Sequence, residues 1–379
     1  MQQNRTLILE DSSQCGFGGG QRFSLEIFNS LEASQHDVWL LDSIKAAWHQ
    51  RLNRAKEKVS ALQLEHLNYH SIRFNLLMFK RTLSIIGKVR PSTLYVTTNK
   101  HFIAASLYKL RNPRVQIIYH AHLLRSENLL WYLFDTLIIM IAKSIIFPSQ
   151  FALDDFLSNR KLLQHQRLYI SPFPPAQWSA PLEQKQLPLI PFTVGFVGRI
   201  SSEKGVFSLL EGLEYLRSDR NWKFIFAGKG QDEDELRRRI RLSKHTRAIE
   251  YLGQAVTNLD FYLQFSLIVI PSFKHKESLC LGAIEALQAG IPLLVAENAI
   301  LTQFVDEKSV FGLKTSESQH ISSQLEKVRS IIEQRGGNRL FEHPMLKDNK
   351  SAFSLFYRNM ICNEVTSASI CQKGSGILS

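Results

Sequence analysis

Two glutamates eight positions apart, Glu277 and Glu285, flank a run of small residues at Cys280 and Gly282-Ala283. The run follows an apolar, strand-like segment from Phe265 to Ile270 that closes at Pro271-Ser272. Apolar Leu279, Ile284 and Leu287, with Gly290 as a stop, predict a helix that begins near Leu279 to Gly282. A helix start presents unpaired backbone N–H groups and the positive end of its dipole, so an anion can seat there. Side chains lean toward the helix N-terminus, which carries Glu285 back toward that spot while Glu277 approaches from the preceding loop. Carboxylates accept hydrogen bonds from hydroxyls, whereas amides and cations hold phosphates. The pattern therefore suits a ligand with a diphosphate set between hydroxyl-rich sugars. A solvated loop Glu and a surface helix Glu would satisfy the same spacing.

Two carboxylates beside a diphosphate repel it unless cations compensate, and the chain offers them upstream. Phe192-Thr193-Val194-Gly195-Phe196-Val197 reads as a buried strand, followed by Gly198, Arg199 and, within the same turn region, Lys204-Gly205. Arg binds phosphate as a planar fork and Lys as a point charge. The alternative is a pair of exposed basic residues. A second Gly-rich turn, Cys15-Gly16-Phe17-Gly18-Gly19-Gly20, lies between a strand at Thr6–Glu10 and a helical stretch at Gln21–Leu31. Strand, Gly-rich turn and helix form the phosphate-binding arrangement of doubly wound folds, but Gln21 stands at the last Gly of the dinucleotide fingerprint.

These segments resemble the retaining GT-B glycosyltransferases of family 4. Glu277 and Glu285 look like that family's paired glutamates, and the segment from Gly198 to Lys204 looks like its donor-phosphate loop. Leu279 and Cys280 depart from it, standing where the family usually has Phe and Gly. The resemblance implies two doubly wound, Rossmann-like α/β domains facing a cleft, and transfer of a hexose-type sugar from a nucleotide-sugar with retention and without a metal or other cofactor. It places Arg199 and Lys204 on the leaving diphosphate, Glu285 on the ribose and Glu277 on the sugar ring. Leu281 and Gly282 would line the phosphate, and Gly253, ending Ile249-Glu250-Tyr251-Leu252, would lie near the base. Gly18, Gly19 and Gly20 would let sugars approach the backbone. His120, with His122 in reserve, would contact the donor sugar at the end of a strand over Val115–Tyr119; a strand-end structural His is the alternative. Ser149 would belong to the strand-then-Ser segment toward the interdomain region, and it could equally cap the helix that follows. The acidic triplet Asp232-Glu233-Asp234 reads as a helix start that suits the macrodipole, not as a metal motif.

The remaining features set the frame. A chain of 379 residues favours two domains. We expect residues 1–178 as an acceptor-side domain, a Pro-rich linker at 179–191, a donor-side domain at 192–348, and a helix at 349–364 that crosses back to the first domain. The formal charge is +12, and Met1–Trp178 carries 21 Lys and Arg against 12 Asp and Glu. Residues 44–90 concentrate it, with Leu76, Leu77, Phe79, Leu83 and Ile86 interleaved, which predicts basic amphipathic helices for an anionic membrane surface or a solvated basic face. No nucleic-acid motif accompanies the charge. Leu129–Phe147 is strongly apolar but broken by Asp135 and Lys143, and it reads as a buried helix followed by a buried strand. Cys15, Cys280, Cys362 and Cys371 show neither metal spacing nor a disulfide framework. With only Leu7-Ile8-Leu9 as an early apolar run, the expected location is cytoplasmic, at the inner face of the membrane, with a lipid-linked or envelope glycan as acceptor. A nucleotide-sugar epimerase of the same fold, a dinucleotide oxidoreductase and a non-catalytic nucleotide-sugar or membrane binder are the competing readings.

Overall fold

The computed structural model describes residues 4–11, 19–43, 48, 52, 56–64, 67–68, 71–121, 129–158, 167–172, 186–217, 221–254, 258–273, 280–297, 308–339 and 349–362. The chain divides into two compact units, Met1–Pro175 with Asn349–Ser379, and Ala176–Asp348. Each is a doubly wound α/β layer structure, as the sequence pattern predicts.

The first unit is built on a seven-stranded parallel sheet. Its strands are β1 (Arg5–Leu9), β2 (Asp37–Asp42), β3 (Val59–Ala61), β4 (Thr93–Val96), β5 (Gln116–His120), β6 (Ser144–Phe147) and β7 (Arg167–Ile170), in the order β3-β2-β1-β4-β5-β6-β7. β1 sits centrally, with Thr6 in register with Val38 on one side and Thr93 on the other. Leu7, Ile8 and Leu9 are fully buried, each contributing roughly 2 kcal/mol by area removed from water. Strands covered on both faces need apolar side chains in both directions, so they read as continuous hydrophobic runs.

One face carries α1 (Gly19–Ala33) and the last helix; the other carries α2 (Ile72–Val89), α3 (Asn99–Arg111) and α4 (Leu129–Ile141). Right-handed crossovers require this split, because the chain runs one way from β1 to β3 and the other way from β3 onward. Leu7, Leu9, Leu41, Leu94 and Val96 point at the second face, where they meet Phe74, Phe102 and Ile138. The alternate residue Tyr95 points at the first face. Ser71 starts α2 by accepting the Phe74 N–H at 3.1 Å. Ser149 similarly accepts the Ala152 N–H at 3.1 Å to start α5 (Gln150–Ser158).

Two expectations change here. Among the described residues, the basic block 44–90 is helical over Ile72–Val89, but Val59–Ala61 pairs with β2 as an edge strand. The helix of Leu129–Phe147 is also not buried all round: Leu133, Leu137 and Met140 are exposed while Asp135 is enclosed.

The second unit has a six-stranded parallel sheet. It contains β8 (Phe192–Val197), β9 (Trp222–Ala227), β10 (Ile249–Gly253), β11 (Leu267–Ile270), β12 (Leu293–Ala296) and β13 (Val310–Leu313), ordered β10-β9-β8-β11-β12-β13. The strand order reverses direction between β8 and β11. Its helices are α6 (Val206–Leu213), α7 (Glu233–Leu242), α8 (Leu259–Leu263), α9 (Leu281–Gln288) and α10 (Ser318–Gln334). Arg329 on α10 lies 4.6 Å from the Trp222 ring and donates to Glu333 at 2.6 Å, which makes burial of its guanidinium tolerable. The last helix, α11 (Asn349–Cys362), returns to the first unit: Phe353 and Tyr357 lie 5.4 and 6.2 Å from Phe23 of α1.

Candidate functional site

In an open parallel sheet, ligands bind outside the carboxyl ends of the strands where the strand order switches. In the second unit that point lies between β8 and β11, and the sequence-predicted residues cluster there. Arg199 follows β8, exposed, while Glu285 lies in the helix that follows β11.

The loop after β8 is shaped by its backbone. Gly198 donates to the Ala227 carbonyl at 3.0 Å, and Ile200 to that of Lys229 at 3.0 Å. Ser202 N–H donates to the Asp232 carboxylate at 2.7 Å, so the first acid of the triplet latches this loop. One turn of 3₁₀ helix, Ser202–Lys204, then ends at Gly205 with φ +73°. A Cβ at Gly205 would fall 1.9 Å from the Pro271 carbonyl oxygen, and one at Gly228 would fall 1.7 Å from that of Gly198. Both positions therefore require glycine: side chains there would push the loop away from the sheet edge. The Ser272 hydroxyl reaches the Lys204 carbonyl at 3.5 Å, linking the turn to the end of β11. Lys204 itself is half-buried.

The start of α9 closes against the same strand end. A Cβ on Gly282 would stand 3.4 Å from the Val197 carbonyl oxygen and 3.8 Å from the Tyr262 hydroxyl. Tyr262, fully buried on α8, donates that hydroxyl to the Glu285 carboxylate at 2.5 Å. Glu285 is only 5% exposed, which fixes its carboxylate by a charge-assisted bond at the sheet edge. Leu281 is buried and Cys280 half-buried at the helix start. Gly253 ends β10 with φ +65° and accepts the Gly228 N–H at 2.6 Å, two strands from the switch point. Glu277 lies outside the described residues, as do Gly18 and His122. Gly198, Arg199, Lys204, Gly282 and Glu285 are thus brought to one edge of one sheet. Sequence reasoning missed Tyr262 and the latch role of Asp232; neither residue carries a spacing signal that points across the fold.

In the first unit the equivalent switch point lies between β1 and β4. Gly19 and Gly20 open α1 there, exposed and half-buried. Glu10, at the end of β1, accepts from the Ser24 hydroxyl at 2.6 Å and from the Asp11 N–H at 3.0 Å. Its main-chain carbonyl meets His101 Nε2 at 3.0 Å, and Thr82 holds the other ring nitrogen at 3.0 Å. His120 is fully enclosed: Nδ1 meets the Tyr95 hydroxyl at 2.6 Å, and the ring packs edge-on to Phe23 at 4.9 Å. That places His120 under α1, on the first face of the sheet. Ser149 is buried at the start of α5, and its hydroxyl serves as the cap described above.

Burial, with Asp42 nearby adding to it, pushes the Glu10 carboxyl up from 4.5 to about 7. A raised acid means the unfolded chain releases its proton first. Folding stability therefore falls as pH rises from 4.5, and the deficit is complete above about 7. The neutral substitution Glu10→Gln removes this dependence. Its stability relative to the parent should rise by about 3 kcal/mol between the two ends of that window, measured by denaturant unfolding in acid and at neutral pH. A difference that stays constant with pH would show that Glu10 titrates normally.

Known proteins resemble this chain in part of its sequence and in its fold. Residues 182–340, which contain the whole described site of the second unit, match the sequence family Glycosyl transferases group 1. The lipopolysaccharide 1,2-N-acetylglucosaminetransferase of Salmonella typhimurium is 30% identical over 120 residues, which cover 29% of this chain and 31% of that enzyme. The alpha-monoglucosyldiacylglycerol synthase of Acholeplasma laidlawii is 30% identical over 118 residues, 31% of this chain and 29% of the synthase. The matched segments thus span about a third of either relative. Among solved structures, Anabaena HepE in complex with UDP-glucose superposes with a TM-score of 0.71 at 16% identity, covering 95% of this chain and 98% of its own. WaaG, a glycosyltransferase involved in lipopolysaccharide biosynthesis, superposes with a TM-score of 0.70 at 13% identity over 94% of this chain and 99% of its own. The fold is that of the GT-B glycosyltransferases, with two Rossmann-like units.

Proposed function

We propose that this chain is a retaining glycosyltransferase that moves a hexose-type sugar from a nucleotide-sugar donor to a lipid-linked or cell-envelope glycan. The carrying observation is the meeting of the Gly198–Lys204 loop and the Glu285 helix at the switch point of the second sheet. In this reading Arg199 and Lys204 bind the leaving diphosphate, Glu285 accepts from ribose hydroxyls, and Glu277 holds the sugar ring. The helix start at Leu281-Gly282 faces the phosphates with its N–H groups. An acceptor hydroxyl forms its bond to the anomeric carbon on the face from which the diphosphate departs. The bond from that carbon to the phosphate oxygen breaks, and the hydroxyl proton passes to the departing diphosphate. The cations stabilise charge as it develops there, which needs no covalent nucleophile from the protein.

The names of the relatives support the class of donor and of acceptor: one matched structure holds UDP-glucose, one matched enzyme is a lipopolysaccharide N-acetylglucosaminetransferase, and the other is a synthase of a monoglucosyl diacylglycerol. Incubation with UDP-, GDP- and ADP-sugars, read by release of free nucleotide, should single out one donor base, with release accelerated by a lipid-linked glycan acceptor. Interconversion of donor sugars without nucleotide release would indicate an epimerase instead. Binding without turnover of any donor would defeat the enzymatic reading.

A further inference from the structure

We propose that the layer formed by α2, α3 and α4 seats the protein on an anionic lipid bilayer. Among the described residues, seven of the thirteen large apolar side chains left exposed lie on these three helices. Ile72 and Leu76 are 79% and 56% exposed on α2, and Ile103 and Leu110 are 51% and 73% exposed on α3. On α4, Leu133, Leu137 and Met140 fall at i, i+4 and i+7, one stripe along its outer side. The helices are neighbours. Lys100 of α3 sits 4.7 Å over the Phe74 ring of α2, and Phe102 of α3 lies 5.9 Å from Phe134 of α4. Their inner sides share one core, so the exposed apolar groups point away from the protein.

Charge identifies the occupant. α2 and α3 contain no Asp or Glu, and the single acid of α4, Asp135, is 1% exposed. Against this stand exposed Arg73, Lys80 and Lys88 on α2 and Arg111 at the end of α3. Leu76 lies between Arg73 and Lys80 on one helical stripe, so apolar and cationic groups alternate on the same surface. On α7 of the second unit, by contrast, Arg237 pairs with Glu233 and Arg238 with Glu235. An unbalanced cationic surface with protruding aliphatic side chains fits lipid headgroups and the upper acyl region together. A nucleic acid would use the cations and leave the aliphatics wet. No described helix is long and apolar enough to cross a membrane, so the contact is made along the surface.

Vesicle flotation tests this independently of any transferase activity. The full chain should float with phosphatidylcholine vesicles that contain phosphatidylglycerol, remain free with phosphatidylcholine alone, and release in high salt. The triple variant Arg73→Glu, Lys80→Glu and Lys88→Glu should lower the partition at least about a hundredfold. Ile72→Ser, Leu76→Ser and Met140→Ser together should lower it about tenfold with the charge unchanged. Lys244→Glu with Arg247→Glu, exposed in the second unit, should change nothing. Circular dichroism and melting of each variant confirm that the fold is kept. Absence of binding to the anionic vesicles, or equal binding by both triple variants and the parent, overturns the proposal. Charge-dependent binding to duplex DNA together with no loss on the serine substitutions overturns it in favour of a nucleic acid.

Discussion

Replacing Lys204 by alanine should lower kcat for sugar transfer by about a hundred- to a thousandfold, the usual consequence of removing one donor to developing charge. The structure makes this a clean test, because the turn that carries Lys204 is held by main-chain contacts. Its N–H donates to the Ser201 carbonyl at 3.0 Å, and its own carbonyl receives the Ser272 hydroxyl at 3.5 Å. Gly205 and the Asp232 latch keep the turn against the sheet whatever side chain stands at 204. Melting should therefore stay within roughly 2 °C of the parent, as for most surface substitutions. Lys204→Arg keeps the charge with a different reach and should recover part of the rate. Glu203→Ala, exposed and adjacent, should retain full turnover and so serves as the control. Turnover in Lys204→Ala within a factor of about three of the parent would remove this residue from the diphosphate site.

Much of the scaffold behind that test was legible because parallel strands buried on both faces leave unbroken apolar runs. The run Phe192–Val197 is β8 to the residue, and Thr6–Glu10 is β1 shifted by one. Val115–Tyr119 marks β5 one residue early, since its apolar signal ends before His120, the last residue in register. The helical stretch expected at Gln21–Leu31 lies within α1, Gly19–Ala33. Less was legible where tertiary contact decides. Val59–Ala61 is too short for a periodicity, and it becomes a strand only because Leu40 to Asp42 offer it an edge. His120 ends a parallel strand, which suggested a ligand-facing ring. Alternation along β5 turns it to the side of α1, and the adjoining Tyr95–Tyr357–Phe353 group is completed by a helix more than two hundred residues downstream. The asymmetry of α4 was hidden for the opposite reason: a sequence apolar all round gives no indication which side the fold will cover. Arg199 and Glu285 could be singled out because each sits at a fixed offset from a strand end or a helix start. Tyr262 was missed because its partner lies across the fold.

Glu285→Gln should lower kcat/KM for the nucleotide-sugar by about a hundredfold, chiefly through KM. Charge-assisted hydrogen bonds contribute about 1.5–3 kcal/mol each, and a ribose offers hydroxyl donors that an amide accepts less strongly. Glutamine is the informative substitution, because its carbonyl oxygen can still accept the Tyr262 hydroxyl and spare a buried donor from being stranded. Tyr262→Phe removes only the hydrogen bond that orients the carboxylate, at about 1 kcal/mol, so a roughly fivefold loss is expected. Residues that act in series do not add. If Tyr262 works by aiming Glu285, the double variant should be no worse than Glu285→Gln alone. If Tyr262 supports catalysis by packing α8 against the sheet, the two losses should multiply and the melting temperature of Tyr262→Phe should fall with activity. The ribose role also predicts that free nucleoside diphosphate, which retains the ribose but lacks the sugar, loses affinity in Glu285→Gln as the donor does. Unchanged inhibition by the nucleotide would move Glu285 off the ribose, leaving the carboxylate as a structural partner of Tyr262 beneath the phosphate loop.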